Sequence, residues 1–129
     1  MAKYIILSFD DGKRNNYEYA YKLLKKYNFT ASFHIVTKKV EEVSCNVGQN
    51  QDYMNLENIK EMIKEGFDFS SHGHEHKNTC KDLALSLKKL KEWDLLDEDN
   101  IVFASPESEI YDKNIKTYEI GRASCRERV

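Results

Sequence analysis

Two short clusters of polar residues contain the side chains that could do chemistry in this chain of 129 residues. The first is Asp10-Asp11-Gly12, and the second runs from His72 to His76 and holds three of the four histidines. One carboxylate and two imidazoles form a suitable ligand set for a divalent metal. A second carboxylate nearby can serve as a general base toward a metal-activated water. Together the clusters predict a metal-dependent hydrolase acting on carbonyl or phosphoryl centres.

The spacing of the histidines indicates which of them act together. His72 and His76 are four residues apart, so one helical turn would bring both imidazoles to one side. His74 would then point elsewhere, and His34, within a predicted strand, is expected to be a packed or hydrogen-bonded residue. Each cluster alone also has an ordinary interpretation, because Asp-Asp-Gly is a common turn sequence and histidines occur in solvated loops.

Alternating strands and helices must position these clusters. Runs of apolar, β-branched and aromatic residues predict strands at 4–9, 30–37, 67–71 and 101–104. Apolar stripes at helical spacing predict helices at 15–27, 55–65 and 82–93. Asn55 and Asp82 are the predicted N-caps of the last two helices, and the polar stretch 38–53 is expected to be a long loop. Both polar clusters follow predicted strands, at the end where parallel α/β folds bind ligands.

Strands that alternate with amphipathic helices favour parallel βαβ units, and therefore an α/β fold class. Two closures are compatible with this pattern, a doubly wound sheet and an α/β barrel. Barrels of this kind usually need about 250 residues, so a chain with four predicted strands would form only part of one.

Composition excludes several classes of function. The chain is 40% hydrophobic and 33% charged, with a net charge of −2. No nucleic-acid partner is expected, because phosphate binding needs a clear basic surplus. No run of about 18 apolar residues predicts a membrane span, and without a signal-peptide pattern the sequence as written is expected to stay in the cytoplasm. Three cysteines without metal or redox spacing predict no disulfide framework.

The two clusters also resemble the motifs of a known family. Ser8-Phe9-Asp10-Asp11-Gly12 resembles the first motif, usually Thr-Phe-Asp-Asp-Gly, of the polysaccharide deacetylases, also called the NodB homology domain or carbohydrate esterase family four. Residues 72–76 resemble the second motif of that family, His-x-x-x-His, and 30–36 is similar to the strand between the motifs. The resemblance covers about residues 3–108, and both motifs in this order are quite specific.

The resemblance implies a role for each matched residue. Asp10 would be the general base, and Asp11, His72 and His76 would bind the metal. That metal is usually zinc, although an Asp-His-His set also accepts Co²⁺, Mn²⁺ or Ni²⁺. The implied reaction is hydrolysis of N-acetyl, or sometimes O-acetyl, groups on a polysaccharide or oligosaccharide. The expected partner is therefore an acetylated glycan, and the implied fold is a distorted (β/α) barrel, here truncated after about four strands.

The chain departs from the family pattern in its later part. Phe103-Ala104-Ser105-Pro106 aligns with the third motif through its proline but lacks the motif's arginine and aromatic residue. Ser105 and Pro106 are accordingly expected as a wall of the substrate site. The later motifs, including the histidine that acts as catalytic acid, have no match, and losing a general acid typically costs about 10²–10⁴ in rate. Two alternatives stay open, an inactive or merely metal-binding fragment and a metal-dependent phosphoesterase.

The last residues, 119–129, differ in character from the rest. Arginine occurs three times there and once before, at Arg14, whereas lysine dominates elsewhere. The peptide Glu-Ile-Gly-Arg-Ala-Ser-Cys-Arg-Glu-Arg-Val is similar to the in-frame translation of a common short-read sequencing adapter. The sequence therefore predicts an N-terminal deacetylase segment at 1–118 and a non-native tail at 119–129.

Overall fold

A computed structural model of the protein describes residues 2–45 and 52–108, so the predicted tail at 119–129 lies outside the described residues. Three strands form one parallel sheet in the order β1 (Ser8–Asp11), β2 (Ser32–Ile35) and β3 (Asp68–Ser71). The helices are α1 (Lys22–Lys26), directly preceded by a π-helical segment (Asn16–Tyr21), α2 (Thr37–Cys45), α3 (Leu56–Lys64) and α4 (Cys80–Glu92). The predicted α/β class with parallel strands is confirmed.

A row of aromatic rings across the sheet fixes the register of its strands. Phe33 pairs with Phe9 on one side and Phe69 on the other, with ring centroids 5.0 and 5.3 Å apart and the rings nearly parallel. Such stacked pairs each contribute about 0.5–1.5 kcal/mol beyond the area they bury. The buried core around Phe33 also includes Ile35, Val40, Ile59, Met62, Leu83, Leu87, Leu90 and Phe103. At the carboxyl end of the sheet, the same register places Ile35 between Asp11 and Ser71.

The first strand begins later than predicted. The expectation of a strand at 4–9 is wrong for its first half, since Tyr4, Ile5 and Ile6 are more than 80% exposed and β1 starts at Ser8. The neighbouring strand β2 begins only at Ser32, whose backbone N–H donates to the carbonyl of Leu7. A strand needs a partner, so the local preference of an apolar run does not suffice where residues 2–45 and 52–108 provide none.

The prediction of a loop at 38–53 is also wrong in part, because α2 occupies the first half of this stretch. The buried apolar residues of this helix are Val40 and Val43. Two residues form too short an apolar stripe to predict a helix from periodicity. Its start depends on a distant segment. The backbone N–H groups of Thr37 and Lys38 donate to the carbonyls of Gly73 and His74. Those carbonyls satisfy the N–H groups that a helix start leaves unpaired.

Two helix starts test the predicted caps. Asn55 caps α3 as predicted, because its side chain accepts from the N–H of Asn58 and the Asn58 side chain accepts from the N–H of Asn55. The prediction for α4 is wrong, since its N-cap is Thr79, whose hydroxyl accepts from the N–H of Asp82. Asp82 therefore lies inside the first turn. None of the helices in the described part of the chain is long and apolar enough to cross a membrane.

The predicted strand at 101–104 is reduced to a single bridge. Phe103 pairs in parallel with Ser71, and Ser71 exchanges backbone hydrogen bonds with Val102 and Ala104. The segment then turns into a 3₁₀ helix at Pro106–Ser108. Pairing confined to one residue is nevertheless enough to bring the carbonyl of Ala104 beside the residues that follow β3.

Candidate metal centre

Both polar clusters leave the sheet beside Ile35, and three of their side chains converge. The Oδ1 atom of Asp11 lies 3.3 Å from Nε2 of His72 and 3.5 Å from Nε2 of His76. The two imidazole centroids are 4.8 Å apart, and the three ligand atoms all lie within 4.8 Å of one another. One carboxylate oxygen and two ring nitrogens gathered at one point are a donor set that suits zinc and similar divalent ions.

The backbone of the turn after β1 delivers Asp11 to this point. Asp11 and Gly12 have φ angles of +78° and +74°, which end the strand in a left-handed turn. A Cβ at Gly12 would lie 3.0 Å from Cγ2 of Ile35, so both the conformation and the packing favour glycine there. The carbonyl of Gly12 accepts from the N–H of Met54, which ties the turn to the segment before α3. The Asp11 side chain is 46% exposed and faces a cleft.

The histidines converge through a loop rather than the predicted helical turn. Residues 72–78 are irregular, with positive φ angles at Gly73 (+88°) and His76 (+63°). His72 is 3% exposed, and its Nδ1 lies 2.8 Å from the carbonyl oxygen of Ala104. A carbonyl only accepts, so this bond puts the proton of the neutral ring on Nδ1 and leaves the Nε2 lone pair directed at the cluster. Sequence reasoning missed Ala104, which contributes only backbone and has no side-chain signal.

Asp82 organises the same loop from the start of α4. Its carboxylate accepts from the backbone N–H groups of His74, Glu75 and Lys77 at 2.9, 2.8 and 3.0 Å. The sequence predicted Asp82 as the N-cap of this helix, and not that its carboxylate would bind a neighbouring loop. Nδ1 of His74 lies 2.9 Å from the hydroxyl of Thr37, outside the metal cluster, in agreement with the prediction that this ring points elsewhere.

Ser105 and Pro106 lie behind the loop and not at its open side. The hydroxyl of Ser105 donates to Oδ1 of Asn78, and the side-chain amide of Asn78 donates to the carbonyl of Pro106, both at 2.8 Å. All three residues are buried. They brace the far end of the segment that carries His76.

Asp10 and His34 lie outside the cluster of three ligands. Asp10 is exposed, precedes Asp11 on β1 and is in register with His34. His34 is 1% exposed, and its Nδ1 lies 2.6 Å from the hydroxyl of Ser70. The prediction that His34 is a packed, hydrogen-bonded residue is confirmed.

A cleft of about 410 Å³ opens beside Asp11 and His76. Its lining carries three lysines and three carboxylates, together with Tyr53, Val36 and His74. Hydrogen bonds from Lys77 and Lys38 lower the pKa of Glu75 to about 2, so this carboxylate is ionised and paired. Lys13 donates to the hydroxyl of Tyr53 at 3.0 Å and lies 4.2 Å from the centre of its ring. The charges around the cleft are thus largely matched within the protein.

Known proteins are similar to this chain over most of its length. The family model for polysaccharide deacetylase matches residues 1–117. A poly-beta-1,6-N-acetyl-D-glucosamine N-deacetylase of Staphylococcus aureus is 36% identical over 87 residues, 67% of this chain and 29% of that protein. The putative polysaccharide deacetylase YxkH of Bacillus subtilis is 31% identical over 74 residues, 57% of this chain and 24% of that protein.

A solved structure extends the similarity to three dimensions. The deacetylase PplD of Streptococcus pyogenes, in complex with acetate, is similar with a TM-score of 0.74 and 26% identity. The match covers 91% of this chain and 51% of that one. This chain therefore spans about half the length of the solved deacetylase and 29% of the length of the S. aureus relative.

Proposed function

The chain belongs to the polysaccharide deacetylase family, and on that premise we propose that it carries the metal centre of an enzyme that hydrolyses N-acetyl, or O-acetyl, groups on a glycan. The observation that carries the proposal is the convergence of Asp11, His72 and His76, whose ligand atoms lie within 4.8 Å of one another. Two motifs about sixty residues apart in sequence meet there through the parallel sheet that folds of this class use to gather ligands.

Asp11, His72 and His76 would hold a divalent ion, with Zn²⁺ as the first choice and Co²⁺, Mn²⁺ or Ni²⁺ as alternatives. When bound, such an ion supplies a Lewis acid that polarises a carbonyl and acidifies water. The hydrogen bond from Nδ1 of His72 to the Ala104 carbonyl orients the ring and selects, for the neutral ring, the tautomer whose Nε2 lone pair faces the centre.

We assign the general base to Asp10 and a supporting role to Ser105 and Pro106. Asp10 is exposed and directly precedes the ligand Asp11, so its carboxylate is accessible to take the proton of the attacking water. Ser105 and Pro106, buried behind Asn78, form the back wall of the site and act on substrate only through the loop they brace.

We favour an acetylated sugar over a phosphate ester as substrate, because the matching family and the S. aureus relative are deacetylases. The name of the S. aureus relative and the acetate in the S. pyogenes structure favour a β-linked N-acetylglucosamine polymer as substrate class.

We further propose that the small sheet is one segment of a (β/α) barrel, truncated after β3 and the bridge at Phe103, and that 1–118 is the deacetylase segment with 119–129 as a non-native tail.

A second candidate function follows from the length of the chain relative to its relatives. The chain spans about half of the solved deacetylase, and it lacks a match to the family's later motifs. A chain that binds metal but turns over no substrate is therefore the alternative.

One experiment separates these functions. The purified chain is loaded with Zn²⁺, and acetate release from acetylated β-1,6-glucosamine oligomers is compared with phosphate release from a generic phosphate ester. The deacetylase proposal expects one metal per chain and acetate release that Asp10→Asn reduces without loss of metal. Metal binding without release of either product supports the fragment alternative, and a failure to bind metal contradicts the proposed centre.

A further inference from the structure

Asp82 is buried, with 4% of the residue exposed, and its two carboxylate oxygens accept three backbone N–H groups of the loop that carries the candidate histidine ligands. We propose that Asp82 is a positioning residue that sets the path of residues 73–77 and thereby brings His76 to the metal centre. This inference rests on the proposed metal centre and names a residue that determines its geometry.

The two histidine ligands are anchored differently, and only one depends on Asp82. His72 is tied to the sheet and the Phe103 segment, because its N–H donates to the Ile35 carbonyl and its ring to Ala104. His76 is 38% exposed and has a positive φ. The residues on either side of it, Glu75 and Lys77, both donate their backbone N–H groups to Asp82. Asp82 thus holds the backbone on both sides of the more exposed ligand.

The backbone position of Asp82 is fixed by the helix that carries it. Asp82 lies in the first turn of α4, where its own N–H is bound by Thr79. The helix is packed into the core through Leu83, Leu87 and Leu90. A negative charge near a helix N-terminus is also stabilised by the helix dipole.

Gly73 gives independent geometric support. A Cβ at this position would lie 2.7 Å from Oδ2 of Asp82, and the φ angle of +88° also disfavours other residues. The loop therefore passes so close to the carboxylate that a Cβ at residue 73 would require the loop or the carboxylate to move. This close approach is expected if the carboxylate shapes the loop, and it would be unnecessary for an acid that only caps its own helix.

The experiment measures metal binding by the full chain. Zn²⁺ affinity is determined by chelator competition, and the absorption spectrum is recorded with saturating Co²⁺, for the wild type and for Asp82→Ala, Asp82→Asn and Asp11→Ala, each checked by circular dichroism. We expect Asp82→Ala to weaken Zn²⁺ binding by about 10–100-fold and to change the Co²⁺ spectrum. Asp82→Asn, which keeps one acceptor oxygen, should lie between it and the wild type.

Leu87→Ala is the matched control, because it destabilises the same helix from the core without touching the loop. It should lower the melting temperature and leave both metal readouts unchanged; an equal loss of affinity in this variant would mean that Asp82 acts only through stability. If the wild type binds no metal, or Asp11→Ala binds as well as the wild type, the proposed function is wrong. If Asp11→Ala loses metal and Asp82→Ala does not, only the positioning role is wrong.

Should both Asp82 variants fail to fold, Gly73→Ala decides the question. Its added methyl group would displace the carboxylate from the loop while leaving the charge in place. The inference expects this variant to show the same loss of affinity and the same change in the Co²⁺ spectrum. Unchanged values would overturn it.

Discussion

The turn after β1 and the loop after β3 bring their candidate ligands to the same point, yet the first is held by backbone conformation and a backbone hydrogen bond, whereas the second is also held by side chains from other elements. The turn needs left-handed conformations at Asp11 and Gly12 and a hydrogen bond to the backbone of Met54. The loop is bound instead by the carboxylate of Asp82 on α4 and the hydroxyl of Thr37 on α2. The shorter motif is therefore shaped mainly by its own backbone conformation, whereas the longer one depends more on side chains packed around it.

The two regions also differ in exposure, and this changes what each ligand does for the fold. The side chain of Asp11 is 46% exposed, whereas that of His72 is 3% exposed and hydrogen-bonded within the protein. An exposed carboxylate contributes little to folding, but a buried imidazole bound to a carbonyl is part of the core. The comparison leads to four predictions.

Replacement of a ligand is expected to have the largest effect. Asp11→Ala and His72→Ala should each weaken metal binding by more than about 100-fold, because a direct ligand contributes more than the 10–100-fold of its supporting partners. Their metal-free stabilities should differ. His72→Ala leaves the Ala104 carbonyl unpaired and should lower the free energy of unfolding by about 1–3 kcal/mol. Asp11→Ala removes an exposed carboxylate and should lower it by about 1 kcal/mol or less, the cost of alanine at the positive φ of residue 11. Urea unfolding of both variants without metal checks this, and equal losses would contradict the comparison.

Ile35 lies under both regions, and truncating it should disturb both. Its side chain is fully buried, it pairs with Asp11 and Ser71, and it contacts the turn at Gly12. Ile35→Ala should lower the free energy of unfolding by about 2–5 kcal/mol and also weaken metal binding. Ile59→Ala removes the same group from another fully buried site and should cost comparable stability without changing metal affinity. Urea unfolding and metal titration of the two variants check this. Equal metal affinity in both variants would contradict the prediction.

The turn itself can be tested at its glycine. Gly12→Ala should lower the free energy of unfolding by about 1–3 kcal/mol, because a residue other than glycine is strained in a left-handed conformation and the new methyl group would crowd Ile35. Gly66→Ala is the matched control, since its φ is also positive at +93° but nothing lies within 4 Å of the added Cβ. Thermal or urea unfolding should show a larger loss for Gly12→Ala. The same loss in both variants would mean that the contact with Ile35 contributes nothing.

The smallest effect is expected from a hydroxyl that supports the loop. The side chains of Ser86 and Ser71 lie 2.7 Å apart in the core, and the Ser71 hydroxyl accepts from the N–H of Gly73. Ser86→Ala should cost about 1 kcal/mol of stability and a small part of the metal affinity. Ser44→Ala removes a hydroxyl that binds Val40 and Leu56, away from the loop, and should lower stability alone. Equal metal affinity in the two variants would show that Ser71 holds the loop without help from Ser86.

The sequence predicted correctly the features that depend on residues close together in the chain. The helix over α3 was predicted with its Asn55 cap because the apolar stripe and the capping pair are both local. The same holds for Asp11, His72 and His76, whose residue types and spacing indicated a metal site before any fold was known. Asp82, Thr37 and the Ala104 carbonyl were not predicted as parts of that site, because each acts on residues many positions away.

Three local predictions failed for the same reason. Residues 4–6 have the composition of a strand, but no strand pairs with them in the described part of the chain. The helix α2 has only a short apolar stripe, and its first N–H groups find acceptors at Gly73 and His74. The predicted strand at 101–104 pairs only at Phe103. In each case the secondary structure depended on whether a distant segment of the chain lay close enough to form backbone hydrogen bonds with it.

By itself, the sequence determined the α/β class and the residue types of the candidate metal ligands, since these follow from periodicity and from side-chain chemistry, and its two motifs indicated the family by resemblance. Only the tertiary structure decided that the histidine segment is a loop, which nitrogen of His72 carries the proton, and that Asp82 binds the backbone around His76. The physical reason is that an irregular loop cannot satisfy its own N–H and C=O groups. Its shape is set by the partners that packed helices and strands bring to it.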